Sequence, residues 1–81
     1  MLKKTVEIDI TGIVQGVGFR PFLFNLARNL DLKGYLLNRG NAGVRLVLQG
    51  NSINIEDFIE DIELKRPKIS YIEEIEVRTR F

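Results

Sequence analysis

The chain has 81 residues, enough for one domain, and a fold of this size removes only about 60–65% of its unfolded surface from water, so nearly every apolar side chain must find the core. It is 44% hydrophobic and 28% charged, with a net charge of +1 and scattered basic residues, a balance that suits a compact fold and argues against nucleic acid or an anionic membrane as the main partner. With no cysteine and no histidine, it excludes disulfides, thiolate catalysis, imidazole bases and the commonest metal ligands.

The opening "MLKKTVEIDI" lacks the continuous apolar run of about 7–15 residues that a secretory leader requires. No later span approaches the roughly 20 apolar residues of a membrane helix, so the cytoplasm is the expected compartment. Val6, Ile8 and Ile10 alternate with Glu7, Asp9 and Thr11, which predicts a first strand with one buried face. After a glycine-rich stretch, Phe22, Leu23, Leu26, Ala27 and Leu30 share one helical stripe, with Pro21 suited to the first turn; the predicted helix runs from Pro21 to Leu30.

"DLKGYLL" reads as a second strand, and Val44, Leu46 and Leu48 alternate with Arg45, Val47 and Gln49 as a third. The "NRGNAG" between them predicts a hairpin turn. Ile55, Phe58, Ile59 and Ile62 recur at helical spacing, with Asn51 or Ser52 as N-cap, acids early, Lys65 and Arg66 late, and Pro67 as the stop. Ile75, Val77, Thr79 and Phe81 then alternate with charged residues as a last strand. The order βαββαβ, with right-handed crossovers, predicts an α+β ferredoxin-like sandwich over residues 1–81: a four-stranded antiparallel sheet with two helices on one face.

"GIVQGVGFRPF", from Gly12 to Phe22, concentrates the chemistry. A dinucleotide fingerprint fails, because Pro21 stands where its third glycine belongs, and a phosphate loop fails for want of a Gly-Lys pair. Two readings remain: a tight turn, or an anion cradle in which the amides from Gln15 to Arg20 converge on one oxyanion at the positive end of the helix. Arg20 at that positive end points to a third, negative party.

"GIVQGVGFR" followed by "GYLLNRGNAGVRLVLQG" resembles the acylphosphatase family over essentially the whole chain. Within that family, the continuation Arg20-Pro21-Phe22 is most similar to the N-terminal acylphosphatase-like domain of the HypF hydrogenase-maturation carbamoyltransferases, which use carbamoyl phosphate. The resemblance implies hydrolysis of acyl phosphates to carboxylate and phosphate, without cofactor or metal. The alternative it leaves is a domain that acts on or binds carbamoyl phosphate with little activity alone. It further implies that Gln15, Gly16, Val17, Gly18, Phe19 and Arg20 hold the phosphate or another anion, that Asn38 orients the attacking water by accepting a hydrogen bond, and that a free-standing member is monomeric. The stretch from Asn38 to Gly43 departs from the family's Asn-x-x-Asp-Gly and predicts a longer turn.

The acids Glu56, Asp57, Glu60, Asp61 and Glu63 read as the wet face of the second helix, with Asp61 and Lys65 spaced to pair. Arg39 is open to two readings, an exposed turn residue or a recognition group for the carboxyl or carbamoyl end of a substrate. Phe22, Phe58 and Phe81 fall inward, whereas the spacing leaves Phe24 open, either on the apolar stripe or outside it as an exposed residue or partner contact. The outward-facing Glu7, Asp9, Arg45, Val47 and Gln49 lack the aromatics with which an RNA-recognition motif stacks bases.

Overall fold

A computed structural model describes residues 3–80. The strands are β1 (Lys3–Ile13), β2 (Lys33–Asn38), β3 (Val44–Asn51) and β4 (Tyr71–Arg80), and the helices are α1 (Phe19–Asn29) and α2 (Ser52–Lys65). They form one antiparallel sheet in the order β2-β3-β1-β4. This is the predicted ferredoxin-like topology.

The alternation predicted for β1 holds: Val6, Ile8 and Ile10 are buried against Phe19, Leu23 and Leu26 of α1 and Ile55, Phe58 and Ile62 of α2. Register pairs Ile8 with Leu46 on one side and Val77 on the other, so three strands turn apolar side chains toward the helices in one row. The row is covered unevenly. Ile8 is fully buried while Val77 stays 42% exposed, because β1 lies inside the sheet and β4 is its edge. Phe58 is in the core, Phe22 is partly buried against it, and Phe24 is exposed. Phe81 lies outside the described residues.

Helix α1 differs from its predicted bounds at both ends for identifiable reasons. Helix α1 begins two residues early because Gly18 takes a left-handed conformation (φ 76°, ψ 16°) as N-cap and its carbonyl accepts the first helical bond from the Phe22 amide at 3.2 Å. That conformation is strained for any residue with a Cβ. At the other end, Asp31 adopts φ 55° while Asp31 N donates to Arg28 O (3.1 Å) and Leu32 N to Ala27 O (2.9 Å), the paired bonds of a Schellman motif. The helix therefore stops at Asn29, and Asp31 and Leu32, predicted as strand, close it instead. Helix α2 starts at the predicted cap, where the Asn51 side chain accepts from Ile53 N at 3.0 Å, but no acid lies in its first turn. The predicted Asp61–Lys65 pair forms at 3.3 Å. Among the described residues, no helix is long and apolar enough to cross a membrane.

Candidate active site

The segment joining β1 to α1 is held from below and open above. Val14 and Phe19 are both 1% exposed and Val17 is half-buried, so three apolar side chains anchor the loop to the core. Gly16 and Gly18 are exposed between them, each with positive φ. Among the described residues, no backbone carbonyl accepts a hydrogen bond from an amide of residues 15–20. The first turn of α1 contains no acid, and no side chain caps it. A row of free N–H donors thus coincides with the positive end of a helix, the arrangement that favours an anion. Arg20 is the second helical residue, exposed, and makes no ion pair among the described residues.

Asn38 ends β2, opposite Val44. The turn that follows contains a short 3-10 segment, Gly40–Ala42, and closes with Arg39 N donating to Gly43 O at 2.8 Å. This is the longer turn predicted from the extra residue between Asn38 and Gly43. Gly43 rests directly on β1: a Cβ there would stand 2.0 Å from the Ile10 carbonyl oxygen. That close approach of backbones sets the turn beside the exit of β1, where the glycine loop begins.

The two motifs meet through Gln15. Its Nε2 donates to Asn38 Oδ1 at 2.8 Å and lies 3.3 Å from Gly43 O and 3.5 Å from Gly40 O. Asn38 Oδ1 also accepts from the Gly40 amide at 2.9 Å. A backbone N–H can only donate, so this contact fixes which end of the Asn38 carboxamide is oxygen. Its two lone pairs are then both engaged. The atom expected to accept from water, Oδ1, thus already has two donors, and the end without a partner among the described residues is Nδ2.

The sheet face away from the helices carries an ion-pair network. Arg45 binds Asp9 through Nε at 2.7 Å and Nη2 at 3.0 Å, and Arg78 donates to Glu7 at 2.8 and 3.0 Å and also to Asp9. Arg39 Nη1 stands 3.5 Å from Asp9 Oδ2, so this turn residue extends the network, as an exposed turn arginine can. The Arg45 and Arg78 hydrogen bonds hold the Asp9 carboxyl well below the usual carboxylate range, and the Arg78 hydrogen bond lowers Glu7. In return Asp9, then Glu7, raise Arg78. Tyr35 of β2 also lies on this face, 51% exposed beside Val47, so the outward face carries one aromatic that the pattern of β1 and β3 does not show.

The sequence-predicted site residues thus fall into groups. Gln15 and Asn38 are brought into contact. Gly16, Val17 and Gly18 form the loop with free amides. Arg20 stands at the head of α1 and hydrogen-bonds neither Gln15 nor Asn38. Phe19 can contribute only its amide, since its ring is in the core 5.6 Å from that of Phe22. Sequence reasoning missed the Gln15 side chain, which had been credited with a backbone amide alone. Its one signal was its type: the only residue of the loop before Arg20 whose side chain can both donate and accept. Val14 was also missed, although an apolar residue on each flank of a glycine run marks an anchored loop.

Residues 6–80 match the acylphosphatase family model. An acylphosphatase of Salinibacter ruber is 39% identical over 75 residues, 93% of this chain and 78% of the relative. A probable carbamoyltransferase HypF of Methanocaldococcus jannaschii is 42% identical over 76 residues, 94% of this chain and 10% of the relative. A crystal structure of full-length HypF in the phosphate- and nucleotide-bound form superposes with a TM-score of 0.92 at 43% identity, covering 98% of this chain and 10% of that one. The chain spans about a tenth of the carbamoyltransferases it matches and most of the free-standing acylphosphatase. With the family model covering nearly its whole length, and its glycine loop, asparagine and sheet order all in place, the chain belongs to the acylphosphatase family.

Proposed function

We propose that this chain hydrolyses acyl phosphates, the mixed anhydrides of a carboxylic acid and phosphate, to carboxylate and phosphate. The free amides of Gln15, Gly16, Val17, Gly18, Phe19 and Arg20, with the Arg20 guanidinium, take the phosphoryl oxygens. A largely dissociative transition state spreads charge over those oxygens, so fixed N–H donors and one delocalised cation stabilise it where it forms. Asn38 Nδ2 donates to the oxygen of a water and holds it in line with phosphorus. The second lone pair of that oxygen forms the new P–O bond while the bond from phosphorus to the carboxylate oxygen breaks. One proton of the water passes to a phosphoryl oxygen of the substrate, and the carboxylate leaves without protonation. No imidazole is needed, because the leaving group is already a weak base.

The observation that carries this reading is the 2.8 Å hydrogen bond from Gln15 to Asn38, which sets the water-holding residue against the start of the anion loop. The assay compares wild type, Arg20→Ala and Asn38→Ala on acetyl phosphate and carbamoyl phosphate. Asn38→Ala loses turnover with phosphate affinity largely retained, and Arg20→Ala loses both. Near-normal hydrolysis by either variant overturns the roles.

The similarity to full-length HypF supports a narrower second reading, in which the chain serves as the carbamoyl phosphate domain of such an enzyme. Turnover of carbamoyl phosphate well above that of acetyl phosphate supports it. Binding of carbamoyl phosphate without wild-type turnover marks a binding module instead of a hydrolase.

A further inference from the structure

The Asn38 carboxamide is nearly symmetric in shape but not in chemistry, and a water held by its Nδ2 presents different lone pairs from one bound to its Oδ1. Something must choose the orientation. The Gly40 amide makes part of the choice with one donor at 2.9 Å. Gln15 Nε2 supplies the other donor at 2.8 Å. Gln15 is itself oriented by carbonyls, Gly43 O at 3.3 Å and Gly40 O at 3.5 Å, which accept from an NH₂ group and would repel its own oxygen. The longer turn between Asn38 and Gly43 therefore sets Gln15, and Gln15 together with Gly40 sets Asn38.

We infer that Gln15 is a positioning residue for the hydrolysis proposed above: its side chain locks the Asn38 amide with oxygen inward and Nδ2 free for the attacking water. The inference rests on that reading of Asn38. It differs from the expected role of Gln15, which involved its backbone amide and the phosphate. A group acting through Asn38 affects the orientation of water and so kcat, while a phosphate ligand affects binding as well.

Three variants test it. Gln15→Ala lowers kcat about 10- to 100-fold, the scale of misorienting a reactant by about an ångström, with KM and the thermal protection given by inorganic phosphate little changed. Gln15→Glu is the sharper probe. Its ionised carboxylate has no proton for Asn38 Oδ1, whereas its protonated form restores one donor. Its kcat, as a fraction of wild type at each pH, therefore rises as the pH falls through the titration of Glu at this position. The double variant Gln15→Ala with Asn38→Ala is no slower than Asn38→Ala alone.

A proportionate loss in kcat/KM arising from KM, or a Gln15→Glu ratio that is flat with pH, overturns the inference. ¹⁵N relaxation of the Asn38 side-chain amide provides a readout independent of turnover: rigid in wild type, mobile in Gln15→Ala. Should wild type fail to hydrolyse any acyl phosphate, the functional reading falls while this relaxation comparison still decides the lock. An Asn38 amide equally rigid in both proteins sinks the lock whatever the activity.

Discussion

Asp9 and Arg45 face one another across the β1–β3 register and share two hydrogen bonds, Nε to Oδ1 at 2.7 Å and Nη2 to Oδ2 at 3.0 Å. The fork geometry, with Arg78 also on Asp9, holds the folded-state pKa of the carboxyl below its ordinary value. A depressed carboxyl stabilises the fold above its unfolded pKa and loses that contribution as pH falls toward the folded one. Asp9→Asn therefore lowers stability at pH 7 by about 1–2 kcal/mol. The gap from wild type narrows below about pH 4. Urea unfolding at pH 7 and pH 3 checks this, and a gap independent of pH would remove the ionic explanation.

An anion in the glycine loop stabilises the folded chain by mass action, by about 2.7 kcal/mol when phosphate reaches 100 times its Kd. The melting temperature of wild type rises with inorganic phosphate at constant ionic strength. Arg20→Ala, which lacks the guanidinium at the head of α1, shows at most a small part of that rise. An equal rise in both proteins would place the bound phosphate elsewhere.

Asn38→Asp separates the donor role of Asn38 from an acceptor role. The two side chains have nearly the same shape, and a carboxylate would still accept from Gly40 N and Gln15 Nε2, the contacts of Asn38 Oδ1. What it lacks is Nδ2. The variant folds normally and its kcat falls about 10²–10³-fold, the scale of losing one well-placed donor. A variant as active as wild type would mean that a lone pair holds the water.

Gly43 and Gly18 both take positive φ but differ in what surrounds them. A Cβ at Gly43 would lie 2.0 Å from Ile10 O, whereas one at Gly18 meets no atom within 4 Å. Gly43→Ala combines strain with a backbone clash and costs about 2–5 kcal/mol. Gly18→Ala carries only the left-handed penalty, about 1–2 kcal/mol, and keeps the fold. Denaturant midpoints of the two variants give the order.

Asp31 occupies the left-handed position that closes α1, at φ 55°. Glycine suits that backbone better, and an acid at a helix C-terminus opposes the macrodipole. Asp31→Gly therefore raises stability by about 0.5–1 kcal/mol with activity unchanged, as thermal unfolding and the acyl phosphate assay will report.

Most of the architecture could be read from the chain because its signals are local. The alternation of Val6, Ile8 and Ile10 and the spacing of Ile55, Phe58 and Ile62 each state which face meets the core, and six such segments in order leave little choice of topology. The ends of α1 were less legible. They depend on Gly18 and Asp31 adopting left-handed backbone, which an aspartate does not announce. The glycine loop and Asn38 were recognisable as two motifs of one site, but the Gln15 side chain that joins them was not.

The amino-acid order alone determined the strand and helix sequence, the inward faces and the identity of the two motifs, since periodicity and glycine placement act over a few residues. The folded chain decided the rest: Gln15 meeting Asn38 across 23 positions, Arg78 reaching Asp9 across 69, and Phe19 turning inward. Hydrogen bonds and ion pairs form only at contact distance, and no local pattern specifies which distant donor will find which acceptor until packing has set the strands in register.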